Sequence, residues 1–112
     1  MSDKEIFKKA IAIYGEQAQE NQTIEECAEL IQAINHKHRG REHNIPEEIA
    51  DVEIMLEQLK IINNCADEVG EIRRQKINRL YQRICKECKN ENIFLTKEEA
   101  EQALEERTGK NE

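Results

Sequence analysis

The sequence predicts an all-α protein, a bundle of four to five helices. Apolar residues recur at helical spacing along most of the chain, only one Pro and four Gly interrupt them, and few β-branched runs suggest strands. Trp is absent and aromatic residues make up 4% of the chain, so we expect an aliphatic core. A chain of 112 residues supports one hydrophobic core. We therefore predict a single domain over residues 1–107 and a disordered tail over residues 108–112.

The first two helices are predicted from capping signals. Ser2, with a glutamate three residues later, forms a capping box, and the helix that it opens ends before Gly15. Thr23 is the predicted N-cap of a second helix that fades near His36, although the polar stretch 16–22 is also compatible with a helix. The apolar positions are Phe7, Ala10, Ile11 and Tyr14 in the first helix, and Ile24, Cys27, Ala28, Leu30, Ile31 and Ile34 in the second.

The third helix follows a nine-residue connector, residues 37–45. Pro46 suits the first turn of a helix because its fixed φ is helical and the missing N–H needs no partner there. Apolar spacing then continues to Ile62. The apolar positions of this helix are Ile49, Val52, Met55, Leu56, Leu59 and Ile62.

Two further helices complete the predicted bundle. Asn63-Asn64 is a weak break, after which apolar spacing predicts a fourth helix from Val69 to about Lys89. Thr96, with a glutamate three residues later, predicts a short fifth helix that ends near Glu106. Because the long helices carry more apolar surface than one copy can cover, we expect a homo-oligomer, either a dimer or a tetramer.

Charge and cysteine content restrict the classes of partner and compartment. Seventeen basic and 24 acidic residues give a net charge of −7, which argues against nucleic acid or an anionic membrane as the main partner. No apolar stretch approaches the ~20 residues of a spanning helix, and no leader pattern is recognisable. We therefore expect a soluble, cytoplasmic protein with four reduced cysteines. Cys85 and Cys88 have the spacing of zinc ligands but no second pair, which favours core thiols.

Two pairs of carboxylates intrude on the apolar faces of the second and third helices. A helical wheel places Glu48 inside the apolar arc of the third helix and Asp51 at its border. It places Glu26 at the edge of the second helix's apolar face and Glu29 further round, toward the small Ala33. Burying an ionised carboxylate without a partner costs several kcal/mol, so four that converge need cations.

A divalent cation is the natural counter-charge for these carboxylates. Between residues 16 and 62 the cationic side chains are confined to the connector and to Lys60 near one end. An all-oxygen ligand set of Asp and Glu favours Mg²⁺ or Mn²⁺ over Zn²⁺. The alternative is that each pair lies on a solvated helix face, with Glu48 stabilised by the positive N-terminal end of its own helix.

The same residues resemble a family signature. Glu25-Glu26-Cys27-Ala28-Glu29, then eighteen residues, then Glu48-Ile49-Ala50-Asp51 resembles the EExxE…ExxD motif of the MazG-like, all-α nucleoside triphosphate pyrophosphohydrolases. The resemblance covers about residues 14–84 and implies a MazG-like bundle. It also implies Mg²⁺-dependent cleavage between the α and β phosphates, which yields a nucleoside monophosphate and pyrophosphate. By motif position, it implies the metal ligands Glu26, Glu29, Glu48 and Asp51.

Such a reaction also needs a proton acceptor and cations for the triphosphate. Glu25 and Glu47 are the candidate acceptors, although both point partly toward solvent on the wheel. On the fourth helix, basic side chains on one flank of the apolar stripe are candidate phosphate contacts, with a neighbouring amide as a weaker candidate. The alternative for the basic residues is a solvated flank that pairs with acids. These candidates are Lys76, Arg79, Arg83 and Asn78.

Other features leave alternatives open. Phe7 or Tyr14 could stack on a base, but an aromatic residue at helical spacing is more often core. His36, His38 and His43 could bind metal or phosphate near the mouth of the site, or could belong to a solvated loop. The rival function is a catalytically silent helical module whose acidic faces recruit a basic partner.

Overall fold

The computed structural model describes residues 1–90 together with residues 98, 99, 101 and 102. These residues are helical wherever they are regular, and they contain no strand, which confirms the all-α prediction. The predicted cap at Thr96, most of the predicted fifth helix and the predicted disordered tail lie outside the described residues. The long helices are α1 (Asp3–Tyr14), α2 (Glu16–His38), α3 (Ile45–Ile62) and α4 (Ala66–Asn90).

Helix α1 has the predicted cap and the predicted end. Ser2 Oγ accepts a hydrogen bond from the Glu5 backbone N–H at 3.2 Å, which satisfies a donor of the first turn. Gly15 follows the helix with φ of +94°, in a region that side chains rarely adopt. Its N–H still donates to the Ile11 carbonyl at 2.9 Å, and α2 begins at the next residue.

The prediction that Thr23 is the N-cap of the second helix is wrong. Thr23 lies buried within α2, and its Oγ1 donates a hydrogen bond of 2.8 Å to the carbonyl of Gln19. A threonine hydroxyl can bond the carbonyl four residues earlier without leaving the helix, so a side chain that caps well is also compatible with a helix interior. The break falls instead at Gly15, and the polar stretch 16–22 is helical.

Helix α2 ends in a Schellman motif that reverses the chain. The Arg41 N–H donates to the His36 carbonyl at 2.8 Å, and the Gly40 N–H donates to the Lys37 carbonyl at 3.1 Å. Gly40 has φ of +69°, which the motif requires and which glycine adopts without steric cost. Because the motif extends the helix to His38, the connector comprises residues 39–44 rather than the predicted 37–45.

The ends of α3 follow the sequence signals. Pro46 lies in the first turn, and the Asn44 side-chain amide donates to Glu47. At the other end Asn64 adopts a left-handed conformation with φ of +48°, and the Cys65 N–H donates to the Lys60 carbonyl at 3.0 Å. The predicted break at Asn63-Asn64 is therefore present, as a second Schellman motif.

The chain forms two compact units, residues 1–69 and residues 70–112. In the first unit α2 packs along α3, and α1 contacts both helices. Its buried apolar residues among those described are Ala33 and Met55. The second unit contains most of α4, where residues 70–80 are exposed. The prediction of one domain over residues 1–107 stays a prediction.

Part of the predicted apolar stripe is exposed. Tyr14, Ile24 and Ile31 are 67%, 68% and 62% exposed, and Ile13 is 73% exposed. Ile24 and Ile31 are seven residues apart and share one face of α2, away from the face that packs on α3. None of the described helices is long and apolar enough to span a membrane.

Candidate functional site

Three glutamates converge where α2 packs on α3. Glu26 and Glu29 lie on α2, and Glu48 lies in the first turns of α3. One carboxylate oxygen from each lies within 4.8 Å of the other two. Glu29 lies nine residues before the end of α2, which is ~13 Å along the helix. The connector of six residues is long enough to run back over that distance, since an extended chain covers ~3.3 Å per residue.

Two oxygens of this cluster are buried without a hydrogen-bond donor. They are Glu26 Oε2 and Glu48 Oε2. The other oxygen of Glu26 accepts a bond of 2.8 Å from the side-chain amide of Gln22. Carboxylate oxygens of Glu26, Glu29 and Glu48 lie within 4.8 Å of one another, and ionised carboxylates have no hydrogen to donate. The cluster therefore has the donor set and the electrostatic need that suit a bound cation.

The cluster raises the pKa of Glu29. The negative charge of Glu26 is the largest cause, followed by partial burial and the negative charge of Glu48. Hydrogen bonding with Glu26 and Glu48 acts in the same direction, because a shared hydrogen between two carboxyl groups requires one of them to be protonated. In the absence of a cation the Glu29 carboxyl group therefore resists ionisation.

Asp51 is the fourth carboxylate of the group. Burial is the largest cause that raises its pKa, and the negative charges of Glu26 and Glu47 raise it further. A hydrogen bond with Glu26 contributes in the same direction, which places the Asp51 side chain beside that of Glu26. Glu26 and Asp51 are both half-buried, as the helical wheel predicts. We refer to Glu26, Glu29, Glu48 and Asp51 as the acidic cluster.

No Lys or Arg pairs with the acidic cluster among the described residues. Lys60 binds Glu57 at 2.8 Å, on the surface of α3. The other basic residues between positions 16 and 62 lie at the end of α2 and in the connector. In the described part of this unit, therefore, no cationic side chain forms an ion pair with the cluster.

A buried amide pair joins the same two helices. Gln19 Nε2 of α2 donates to Gln58 Oε1 of α3 at 2.6 Å, and both residues are buried. Gln58 Nε2 lies 3.9 Å from the sulfur of Met55. Because a buried amide needs its partner, this bond fixes the register between the helices that carry the acidic cluster.

A cavity of about 550 Å³ opens beside Glu29 and Glu48. Its wall comes from α2, from the connector and from the first turns of α3. Ala33 is its apolar lining residue, and its small side chain leaves space between the helices. The lining residues are Glu29, Gln32, Ala33, His36, Glu42, His43, Asn44 and Glu48.

The remaining predicted site residues lie at several places. Glu25 is exposed on α2, and Glu47 is exposed at the start of α3, where Asn44 donates to it. Neither Phe7 nor Tyr14 lines the cavity. The four candidate phosphate contacts are exposed on α4, in the second unit. They are Lys76, Asn78, Arg79 and Arg83.

The sequence analysis missed three of the residues that line the cavity: Gln32, Glu42 and Asn44. Gln32 lies three residues after Glu29 and shares its helix face, so a helical wheel could have identified it. Glu42 and Asn44 could not be identified in this way, because their positions depend on the turn made at Gly40.

Comparison with known proteins identifies the family. No curated protein and no solved structure matched the chain. The MazG nucleotide pyrophosphohydrolase domain matches residues 15–90, which include α2, α3, α4 and the whole acidic cluster. This match covers most of the chain and agrees with the motif and with the all-helical fold. The chain therefore belongs to the family of MazG nucleotide pyrophosphohydrolase domains.

Proposed function

We propose that this chain is a Mg²⁺-dependent nucleoside triphosphate pyrophosphohydrolase that cleaves between the α and β phosphates. The observation that carries the proposal is the acidic cluster, whose two buried oxygens have no hydrogen-bond donor. Membership of a nucleotide pyrophosphohydrolase family supports the reaction class. The products are a nucleoside monophosphate and pyrophosphate.

The acidic cluster is the proposed metal site. Carboxylate oxygens are the ligands that Mg²⁺ and Mn²⁺ prefer, and the cluster offers no sulfur or imidazole that would favour Zn²⁺. Glu26, Glu29 and Glu48 supply the nearest oxygens, and Asp51 adds a fourth group beside Glu26. When bound, such an ion offsets phosphate charge and makes a water molecule more acidic.

The chain's own residues supply the remaining functions. Glu47 is a candidate proton acceptor because its carboxylate is exposed, is held by Asn44, and lies close enough to Asp51 to raise the pKa of that group. Glu25, exposed on α2 next to Glu26, is the second candidate. Asn44 orients Glu47 at the entrance to α3, where a carboxylate also interacts favourably with the helix N-terminus.

The basic side chains of α4 are the proposed phosphate contacts. Lys76, Arg79 and Arg83 are spaced at three and four residues and share one flank of the helix. All three are exposed, which leaves their charges available to a polyanion. Asn78 is a weaker candidate because an amide carries no charge.

We also propose that copies of the chain associate. The exposed isoleucines at positions 13, 24 and 31 support this, because large apolar side chains that are more than 60% exposed on one unit gain free energy when a second surface covers them. Coverage by another copy would give the predicted dimer or tetramer.

The activity is tested by pyrophosphate release. We expect the chain to release pyrophosphate and a nucleoside monophosphate from at least one triphosphate in a panel of ribo- and deoxynucleotides, with Mg²⁺ present. The variant Glu48→Gln should lose at least a hundredfold in rate because it removes an anionic ligand without changing side-chain size. Glu53→Gln is the matched control, since Glu53 is exposed on the same helix and lies outside the cluster.

Two results would contradict the proposal. The first is that no triphosphate in the panel yields pyrophosphate at any Mg²⁺ concentration, in which case the silent interaction module is the better account. The second is that Glu48→Gln and Glu53→Gln lose activity equally, which would assign the effect to surface charge rather than to the acidic cluster.

A further inference from the structure

The cavity beside the acidic cluster has a wall that the metal site does not use. Glu29 and Glu48 form one side of the cavity and belong to the cluster. The rest of the lining comes from Gln32, Ala33, His36 and the connector, and Ala33 is its apolar member. The volume of about 550 Å³ lies within the ~300–1,000 Å³ that is typical of small-molecule sites. The cavity therefore has room for a ligand group next to the proposed metal.

The polarity of this wall favours a nucleobase over phosphate. If the phosphates of a substrate lie at the metal, the cavity takes the part of the nucleotide attached to them. The side chains of Gln32 and Asn44 both donate and accept hydrogen bonds, and the imidazoles of His36 and His43 provide planar faces and one polar edge each. A polar ring with several hydrogen-bonding groups fits this set, whereas an apolar group does not.

Glu42 adds a carboxylate to this wall. It lines the cavity from the connector, lies outside the metal cluster and has no hydrogen bond or ion pair among the described residues. An ionised carboxylate accepts hydrogen bonds but cannot donate them, and it repels phosphate. The group that meets Glu42 must therefore bring a donor.

Nucleobases differ in the hydrogen-bond donors that they carry. Adenine, cytosine and guanine each carry an exocyclic amino group, which is a donor. Uracil and thymine carry a carbonyl oxygen at the position where cytosine carries its amino group. Their one ring donor, N3–H, lies between two carbonyl oxygens that repel a carboxylate, so a carboxylate facing that position favours cytosine over uracil. Accordingly, we propose that the cavity is the base subsite of the enzyme, and that Glu42 selects triphosphates of amino-bearing bases over those of uracil and thymine.

This inference rests on the proposed function, because it takes the acidic cluster as the phosphate end of the substrate. The test compares CTP with UTP, which differ only in the amino and carbonyl groups of the base and its ring nitrogen. For the full chain with Mg²⁺ we expect kcat/KM to be about tenfold or more higher for CTP, the discrimination that one good carboxylate-to-amino contact gives. In Glu42→Gln this ratio should fall toward one, because an amide can donate to a carbonyl as well as accept from an amine.

Controls separate base selection from other effects. Glu42 is exposed and has no partner among the described residues, so Glu42→Gln should fold normally, and circular dichroism checks this. Glu53→Gln should keep the wild-type ratio, since Glu53 does not line the cavity. Equal kcat/KM for CTP and UTP in the wild type, or an unchanged ratio in Glu42→Gln, would overturn the base subsite while leaving the pyrophosphohydrolase activity intact.

A binding measurement decides the case in which no triphosphate is hydrolysed. Calorimetric titration of the full chain with CMP and with UMP needs no catalysis. Tighter binding of CMP that is lost in Glu42→Gln supports the base subsite even if the proposed reaction fails. Equal binding of CMP and UMP, or binding of neither, overturns it.

Discussion

Glu26 and Glu48 each bury one carboxylate oxygen that no hydrogen-bond donor of the described residues reaches. A buried, unsatisfied polar atom costs free energy, and adjacent carboxylates repel one another as well. The negative charge of Glu26 is the largest cause of the raised pKa of Glu29, whereas burial is the largest cause for Asp51, with neighbouring carboxylates acting in the same direction. Such residues destabilise the fold in isolation, and the proposed cation would offset their charge.

The metal-free protein should become less stable as the pH rises through the region where these groups ionise. Glu29 and Asp51 have pKa values above the ordinary 4.5 and 3.8, so the folded state binds more protons than the unfolded state there. Their favourable contribution is complete below those ordinary values and is lost as the pH rises through the folded values. Urea unfolding in EDTA, from pH 4 to pH 7, measures this directly.

The double variant Glu29→Gln/Asp51→Asn isolates the two groups. It should be more stable than the wild type at pH 7, and the difference should shrink as the pH falls and the wild-type groups take up protons. A difference that stays constant with pH would show that crowding of these carboxylates does not govern their ionisation.

At the scale of helices, most boundaries follow from local chemistry. Gly15 and the two Schellman motifs end helices because glycine, or Asn64, adopts the left-handed conformation. The wheel also predicts correctly that Glu48 and Asp51 turn inward, since spacing alone defines a face. Thr23 misled the prediction because the same hydroxyl that caps a helix can bond the preceding turn. The buried glutamines Gln19 and Gln58 were not predicted, since a polar amide breaks the apolar periodicity from which a buried face is predicted.

The buried pair of Gln19 and Gln58 should stabilise the packing of α2 on α3. Gln58→Leu keeps the volume but leaves the Gln19 amide without a partner, so we expect the free energy of unfolding to fall by about 1–3 kcal/mol. Gln19→Leu/Gln58→Leu removes both polar groups and should recover much of that loss. Chemical denaturation of the single and double variants gives the coupling between the two residues.

An exposed glutamine is the control for this cycle. Gln17 lies on the exposed part of α2, and Gln17→Leu should change stability by no more than about 0.5 kcal/mol. If the two single core variants add without coupling, the bond between Gln19 and Gln58 does not contribute to the register of the helices.

At the scale of the whole molecule, the EExxE…ExxD sequence motif identifies the four carboxylates but not the cavity beside them. The acidic cluster exists only when α2 and α3 pair, and the connector wall exists only because Gly40 turns the chain. Periodicity also shows which helix faces are apolar, but it does not show whether the surface that covers them belongs to the same chain. For that reason Ile24 and Ile31 fit the predicted stripe and are nevertheless exposed.

Since the cluster forms only in the folded state, a cation that binds there stabilises the whole first unit. A metal concentration of a hundred times Kd would raise the free energy of unfolding by about 2.7 kcal/mol, which corresponds to a Tm increase of roughly ten degrees for a domain of this size. Glu48→Gln relieves repulsion in the metal-free protein and removes a ligand at the same time. The relief of repulsion should raise the Tm in EDTA, whereas the loss of a ligand should reduce the Tm increase that metal causes.

Thermal unfolding of the wild type and of Glu48→Gln, in EDTA and in millimolar Mg²⁺ or Mn²⁺, therefore tests the shared cation most directly. We expect Glu48→Gln to have the higher Tm in EDTA and the smaller Tm increase with metal, while Glu53→Gln responds as the wild type does. A wild-type Tm that does not change with metal, or one that rises equally in Glu48→Gln, would contradict a divalent ion held by the acidic cluster.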